Sequence, residues 1–434
     1  MLDSNDPLVA LADTINWEQF DDSFEKYYSE NGRPAKPIRL MVGILLLKQI
    51  ENLSDENVVL QWKRNPYYQY FCGMTEYQPA LPCDPTDLVY FRKRIGTEGV
   101  EKIFAMSVAL HGKDAEEKQV IIDATVQEKN VTYPTDGKLA IKMIHHLHRI
   151  AKEEGIQLRR TYIKEIKAHR IKLRFFRHPK KIKKARSAMK RLKTIVGILM
   201  RDISRNISQE QLQKYQETFD LFTKVTKQKM KDTHKVYSLH EQHIYVIAKG
   251  KDHKKYEYGT KASLVTTMKS NVIIGVCAHE KNEHDSKTLD AALASANKHR
   301  TNPIIEAICD RGYRGKKEVD GTTICIPDSP KKRDTKYQKE QKRKKFRRRA
   351  AIEPIIGHVK SDHRMQRNCL KDFIGDEINL LLAASAFNLK KWMNNFLAVI
   401  FIVKLLAVVS LLSHIRQEKR HKYVDLYLTV YRLW

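Results

Sequence analysis

The sequence predicts a mixed α/β sheet, preceded by an all-helical N-terminal domain and split by a helical insertion. Three observations predict it. After residue 118, short apolar runs rich in β-branched residues alternate with amphipathic helical stretches. The first 110 or so residues carry helical patterns. Between Lys138 and Thr233 the chain turns helical and strongly basic, interrupting the strand pattern.

Taken in order, Ile38 to Leu53 (IRLMVGILLLKQIENL) is an apolar helix. Ser54, followed by Asp55 and Glu56, caps a second helix that Pro66 ends. Asp84-Pro85-Thr86 caps a third, which carries DLVYFRKRIG. Short helices with short turns and an FRKR end fit a helix-turn-helix DNA reader or a plain bundle with a basic surface. EKQVIIDATV is a buried strand, and YEYGTKASLVTTM, NVIIGVCAHEK, PIIEAICD and TTICIP are further strands. DSKTLDAALASANKH is an amphipathic helix opened by Asp285-Ser286. In the insertion, Leu192, Ile195, Val196, Leu199 and Ile203 recur every three or four residues and form one apolar face. Its basic face would track a DNA backbone or stand solvated. The boundaries expected are a helical DNA-binding domain at 1–112, a catalytic domain at 113–393 with its insertion at about 138–233, and a tail at 394–434.

Among 434 residues, 80 Lys and Arg stand against 51 Asp and Glu, a formal charge of +29. Nucleic acid is the usual partner of such a chain, an anionic membrane surface the other. The tail segment Phe396 to Leu412 (FLAVIFIVKLLAVVSLL) approaches bilayer-spanning length, but Lys404 sits at its middle. It reads as a buried or oligomerising helix. The six cysteines lack CxxC or zinc-like spacing and fit reduced, buried thiols. The acidic N-terminus lacks a signal pattern, so a cytoplasmic location is expected. No Gly-rich P-loop or Ser-His-Asp arrangement points to small-molecule chemistry.

Three acids stand out. Asp123 follows a buried apolar run in VIIDATV, and Asp310 ends the strand of IIEAICDRGYRG. Each either caps a turn or binds a metal. Glu353 lies in a helical stretch from Phe346 to Lys360 (FRRRAAIEPIIGHVK), with Arg349 and Lys360 on roughly its own face. Two strand-borne aspartates and a helix-borne glutamate meet the needs of a two-metal phosphoryl-transfer site, in which ions roughly 3.5–4 Å apart serve the attacking and leaving oxygens. Asp285 reads as a helix N-cap or as a fourth acid. The basic run Ser329 to Ala350 leads into the Glu353 helix.

These motifs resemble those of bacterial insertion-sequence transposases of the DDE superfamily, in the group named for insertion sequence five. The third-acid pattern of that group, Y-x2-R-x3-E-x6-K, stands here as Phe346, Arg349, Glu353 and Lys360. Its D-x-G-Y-x-G turn is matched by Asp310, Gly312, Tyr313 and Gly315, and its D-A-T-x block by Asp123 to Val126. Residues 38 to 95 resemble its N-terminal helical domain, and the likeness runs from about residue 35 to 393. Phe346 departs from the pattern: it keeps the ring and loses the hydroxyl. The resemblance implies an RNase H-like core and two magnesium ions, replaceable by manganese, on Asp123, Asp310 and Glu353. It implies cleavage at the inverted-repeat ends of the element and transfer of the strand into target DNA. Arg349, Lys360, Phe346, Lys261, Arg311 and Tyr313 would contact DNA, and a homo-oligomer would hold two ends, acting in the cytoplasm at the nucleoid. A DNA-binding remnant without catalysis is the alternative.

Overall fold

The N-terminal third folds as helices because its caps and apolar spacings coincide. They are α1 (Pro7–Thr14), α2 (Glu18–Phe24), α3 (Ile38–Ile50), α4 (Asp55–Arg64), α5 (Pro66–Phe71) and α6 (Pro85–Ala109). The structure is a computed structural model. It describes the chain apart from residues 1, 29–34, 230, 249–254, 328–330, 332 and 432–434, and describes side chains in the last helix only as far as residue 406. Ser54 Oγ accepts from the Asn57 amide at 3.1 Å and opens α4. Asp84 and Asp87 form a reciprocal capping box at the start of α6. Within α6, Gly96 adopts φ 59°, a left-handed conformation open to glycine, and kinks the helix after Ile95. In the FRKR segment, Arg92 points inward. Its guanidinium grips both Asp55 oxygens at 2.8 and 2.7 Å, so it ties α6 to α4 and is not offered to DNA.

The sheet begins with β1 (Gln119–Glu128). The insertion follows as α7 (Asp136–Glu153), α8 (Ile163–Leu173), α9 (Ile182–Asn206) and α10 (Gln209–Lys227). Its apolar face closes on itself. Leu192, Ile195, Val196, Leu199 and Ile203 pack with Leu147, Ile150 and Phe222 in a core separate from the main one. The chain returns as β2 (Tyr245–Ala248), β3 (Tyr256–Thr267) and β4 (Ile273–His279), then α11 (Leu289–Asn297), β5 (Glu306–Ile308), β6 (Glu318–Val319) and β7 (Thr322–Cys325). The last helices are α12 (Lys336–Arg349), α13 (Ile352–Ser361) and α14 (Asp372–Tyr431).

β1 pairs antiparallel with β3 and parallel with β5; β3 pairs antiparallel with β4 on its other edge, and β5 pairs parallel with β7. The order β4-β3-β1-β5-β7, antiparallel on one side of β1 and parallel on the other, is that of an RNase H-like core. The main apolar core is continuous from Leu11 and Phe24 in the N-terminal helices through the sheet to Leu380 and Leu389 in α14.

A buried polar knot locks the end of β1. Lys129 Nζ donates to Asp376 Oδ1 of α14 at 2.7 Å and stands 3.4 Å from Glu241. His243 binds the other Asp376 oxygen at 2.9 Å, and the Asn368 amide adds a bond at 2.6 Å.

Of the two expectations for the tail, burial within this chain does not hold: it continues α14 as one helix, and the side chains of Leu397, Val399, Phe401, Ile402, Val403, Leu405 and Leu406 are exposed. The rest of the apolar segment to Leu412 lies outside the described side chains. Among the described residues no helix is long and apolar enough to cross a membrane. The described residues also hold no disulfide: Cys72, Cys83 and Cys309 are buried, and Cys369 is exposed.

Candidate active site

Asp123 lies at the middle of β1, opposite Leu264 of β3. Asp310 follows β5, which runs parallel beside β1 with Ile121 level with Ile308. The parallel register therefore brings both aspartates to neighbouring positions at one end of the sheet. Asp310 turns back on its own loop, where its Oδ1 accepts from the Gly312 amide at 2.7 Å. A Cβ on Gly312 would stand 2.9 Å from that oxygen and 3.0 Å from Asp285 Oδ2, so the glycine lets two carboxylates face each other.

Asp285 is not a helix cap here. It sits in a 3-10 turn ahead of α11, and the preceding His284 accepts the capping bond from Ser286. Its Oδ1 accepts instead from Lys261 Nζ at 2.9 Å. Lys261 also donates to the Glu283 carbonyl and is only 9% exposed, so its ammonium is turned into the protein and is not presented to DNA. The strand partner of Lys261 on β4 is His279. Burial, with Lys261 alongside, lowers the His279 pKa to about 4, and its Nε2 bonds Ser263 Oγ at 2.8 Å. Nothing in the sequence marks His279 or Ser263; a His closing an apolar strand has no spacing signal.

Tyr313 carries the most unusual atom of the site. The side chain is 0% exposed, which removes it as a surface contact for DNA, and its hydroxyl has no hydrogen-bond partner. Burial, then the charges of Asp123 and Asp285, and further those of Cys309 and Asp310, hold that hydroxyl protonated well above its ordinary range. A buried, unpartnered hydroxyl is a group that awaits an acceptor.

The stretch from Phe346 to Lys360 is two helices instead of one. Pro354 has no N–H, and its ring conflicts with the carbonyl four residues back, at Ala350. The chain tightens there, with Ala351 N bonding Arg348 O and Glu353 N bonding Ala350 O, and Pro354 falls in the tolerant first turn of α13. Ile352, Ile355, Ile356 and Val359 are buried and dock α13 against β1. Glu353 faces away: its side chain is 64% exposed, with Oε1 3.6 Å from Arg349 Nη2. Burial, and then the Asp310 and Asp123 charges, push the Cys309 thiol up, and the Arg349 charge works against them. Phe346 and Lys360 are half-buried, and Arg311 is exposed beside Asp310.

The structure thus sets Asp123 beside Asp310 through the β1–β5 register, brings Asp310 and Asp285 to Gly312 with Tyr313 under the charges of all three, and leaves Glu353 on the adjoining helix. Their oxygens are the hard donors that magnesium or manganese takes, and the orphaned Tyr313 hydroxyl suits a further oxygen among them. Among the described residues no three His, Cys, Asp or Glu side chains stand close enough to hold an ion together.

The fold and the match of residues 221–389 to a DDE domain make this a nucleic-acid-processing enzyme. Residues 1–94 match the family model described as Transposase domain (DUF772), and residues 221–389 match Transposase DDE domain. The chain belongs to the insertion-sequence DDE transposases with an N-terminal transposase domain, a family whose DDE domains generally depend on a divalent metal. It is similar to the uncharacterized protein ORF8 in the nfe locus of Rhizobium meliloti, at 42% identity over 176 residues, which are 39% of this chain and 85% of that protein. No solved structure matches it.

Proposed function

We propose that the chain cuts DNA at the inverted-repeat ends of its insertion sequence and joins the freed strand to target DNA, with Asp123, Asp310 and Glu353 holding two magnesium ions. The observation that supports this is the parallel pairing of β1, which bears Asp123, with β5, which Asp310 follows, and the docking of the Glu353 helix on β1. When bound, the ions would activate the attacking oxygen and stabilise the leaving one. In the first step water attacks the phosphorus at the element end, the P–O3′ bond breaks and a 3′-hydroxyl is released. In the second, that hydroxyl attacks a target phosphorus, and a target 3′-oxygen leaves. Both steps exchange one P–O bond for another, so no oxidant or nucleotide is consumed.

Arg349 and Lys360 flank Glu353 and would bind phosphates near the cleaved bond, with Phe346 stacking in place of the usual tyrosine. DNA phosphate competes for Arg349 and frees Glu353 from its pairing at 3.6 Å, letting the carboxylate turn toward Asp123. The basic insertion and α12 would carry the remaining backbone contacts in a homo-oligomer gripping two ends, at the bacterial nucleoid. Boundaries near residues 112 and 393 remain our reading of where DNA-binding and catalytic parts divide.

The test is end cleavage with magnesium by Asp123→Asn, Asp310→Asn and Glu353→Gln. Loss in all three supports the assignment; wild-type cleavage by all three ends it. The outward Glu353 favours a second reading, a DNA-binding remnant without catalysis. That reading calls for salt-sensitive binding of end DNA with no cut by the wild-type protein.

A further inference from the structure

We propose that Asp285 is a fourth acidic residue of the metal-holding end of this site, and that the Lys261 ammonium occupies its cation position until a metal displaces it. The inference rests on the two-metal reading above and adds to it a ligand and a built-in competitor.

Two independent observations support it. The first is the arrangement of the acids. Asp285 Oδ2 and Asp310 Oδ1 converge on the bare Cα of Gly312, each within about 3 Å of the place a Cβ would take. Neighbouring carboxylates repel unless a cation lies near. The cation that the protein provides is Lys261, 2.9 Å from the other Asp285 oxygen. The second observation is the Tyr313 hydroxyl, fully buried, without a partner, and under the charges of Asp123, Asp285 and Asp310 together. A buried, unpartnered hydroxyl under the charges of three carboxylates is placed for an oxygen that arrives with a ligand, such as a phosphate oxygen.

Lys261 has the features of a stand-in cation. It lies on β3, facing Val126 of β1 on one side and His279 of β4 on the other. His279 stays neutral at physiological pH, so no second positive charge crowds the position. The ammonium is held by a carboxylate and by the Glu283 carbonyl, oxygens of the kind a hard metal would use. A divalent ion entering between Asp285 and Asp310 would take over the Asp285 oxygen and release Lys261 from it. Lys261 would then be a positioning residue, answering to metal occupancy.

The experiment uses the full chain, metal-free and without DNA, titrated with Mn2+ while free Mn2+ is followed by electron paramagnetic resonance. Asp285→Asn is expected to weaken binding about 10-fold or more, the scale on which metal sites respond to a lost supporting group. Lys261→Met is expected to tighten it, because the competitor is gone, and a misfolded variant cannot mimic a gain in affinity. Wild-type affinity and stoichiometry in Asp285→Asn, or weaker binding in Lys261→Met, overturns the proposal. Asp123→Asn and Asp310→Asn in the same titration separate the two levels. If they abolish binding while Asp285→Asn does not, the Asp285 assignment alone fails. If they too bind as wild type, the metal site itself is misplaced.

Discussion

Replacing Lys129 by Met removes the cation from a knot that is almost dry. Side-chain exposure is 2% for Lys129, 4% for Glu241 and 0% for Asp376. Methionine fills similar volume, so the cavity term is small and the cost is electrostatic. Two carboxylates remain, with only the Asn368 amide at 2.6 Å and His243 at 2.9 Å left beside Asp376. Breaking a buried pair on one side costs about 3–5 kcal/mol. That is a fifth or more of the roughly 5–15 kcal/mol by which a domain is stable. Equilibrium urea denaturation, followed by far-ultraviolet circular dichroism, should show the midpoint falling with an unchanged slope. Adding Asp376→Asn removes one stranded charge while keeping an acceptor for the Asn368 amide. The double variant should recover part of the loss, giving a coupling of about 1–3 kcal/mol. A loss under about 1 kcal/mol for Lys129→Met, or no recovery in the double variant, would refute the view that this ion network locks β1 to α14.

Three further outcomes follow from the geometry. His279 titrates near 4 in the folded chain and near 6.5 unfolded; the unfolded chain takes the proton first, so its contribution is intact above pH 6.5 and declines as pH falls to 4. The difference between urea midpoints of the wild type and His279→Asn should change across that window by about 3 kcal/mol. Ile352→Ala, at a side chain with 0% exposure, should cost about 2–5 kcal/mol in thermal or urea unfolding and slow end cleavage by loosening α13. Arg349→Gln breaks only an ion pair with an exposed partner, so stability should move by less than about 0.5 kcal/mol. The same substitution should weaken end-DNA binding and reduce the salt slope by about 1 in a fluorescence-anisotropy titration.

The strands that carry the site were legible because their signal is local. β1, β3, β4, β5 and β7 each hold a run of β-branched or apolar residues. β2 and β6 are four and two residues long, too short to give a period. Asp123 and Asp310 could be read together because each follows an apolar run, and the parallel register of β1 and β5 then sets them side by side. Lys261 was misleading for the opposite reason: its charge suggested the surface, while its place in a central strand decided its burial. Pro354 was the local mark of the break between α12 and α13, outweighed there by the regular spacing of the isoleucines. The Lys129 knot joins residues 129, 241, 243 and 376, and no spacing links charges so far apart in the chain. Asp285 was visible as an acid, but only the tertiary turn opposite Gly312 distinguishes its role from that of a cap.

The strand bearing Asp123 has no partner near it in the chain. Its closest pairing is Glu128 with Gly259, and its other neighbour begins at Glu306. During synthesis β1 therefore leaves the ribosome as an unpaired apolar edge and waits through the whole insertion, whose separate core can form in the meantime. Until β3 and β5 emerge, that edge is open to wrong pairing with other chains. α14 is made last, and it covers α3, α6 and β4 and supplies Asp376. A chain interrupted before α14 would therefore hold the insertion's own core while the end of β1 lacks the Asp376 that ties it down.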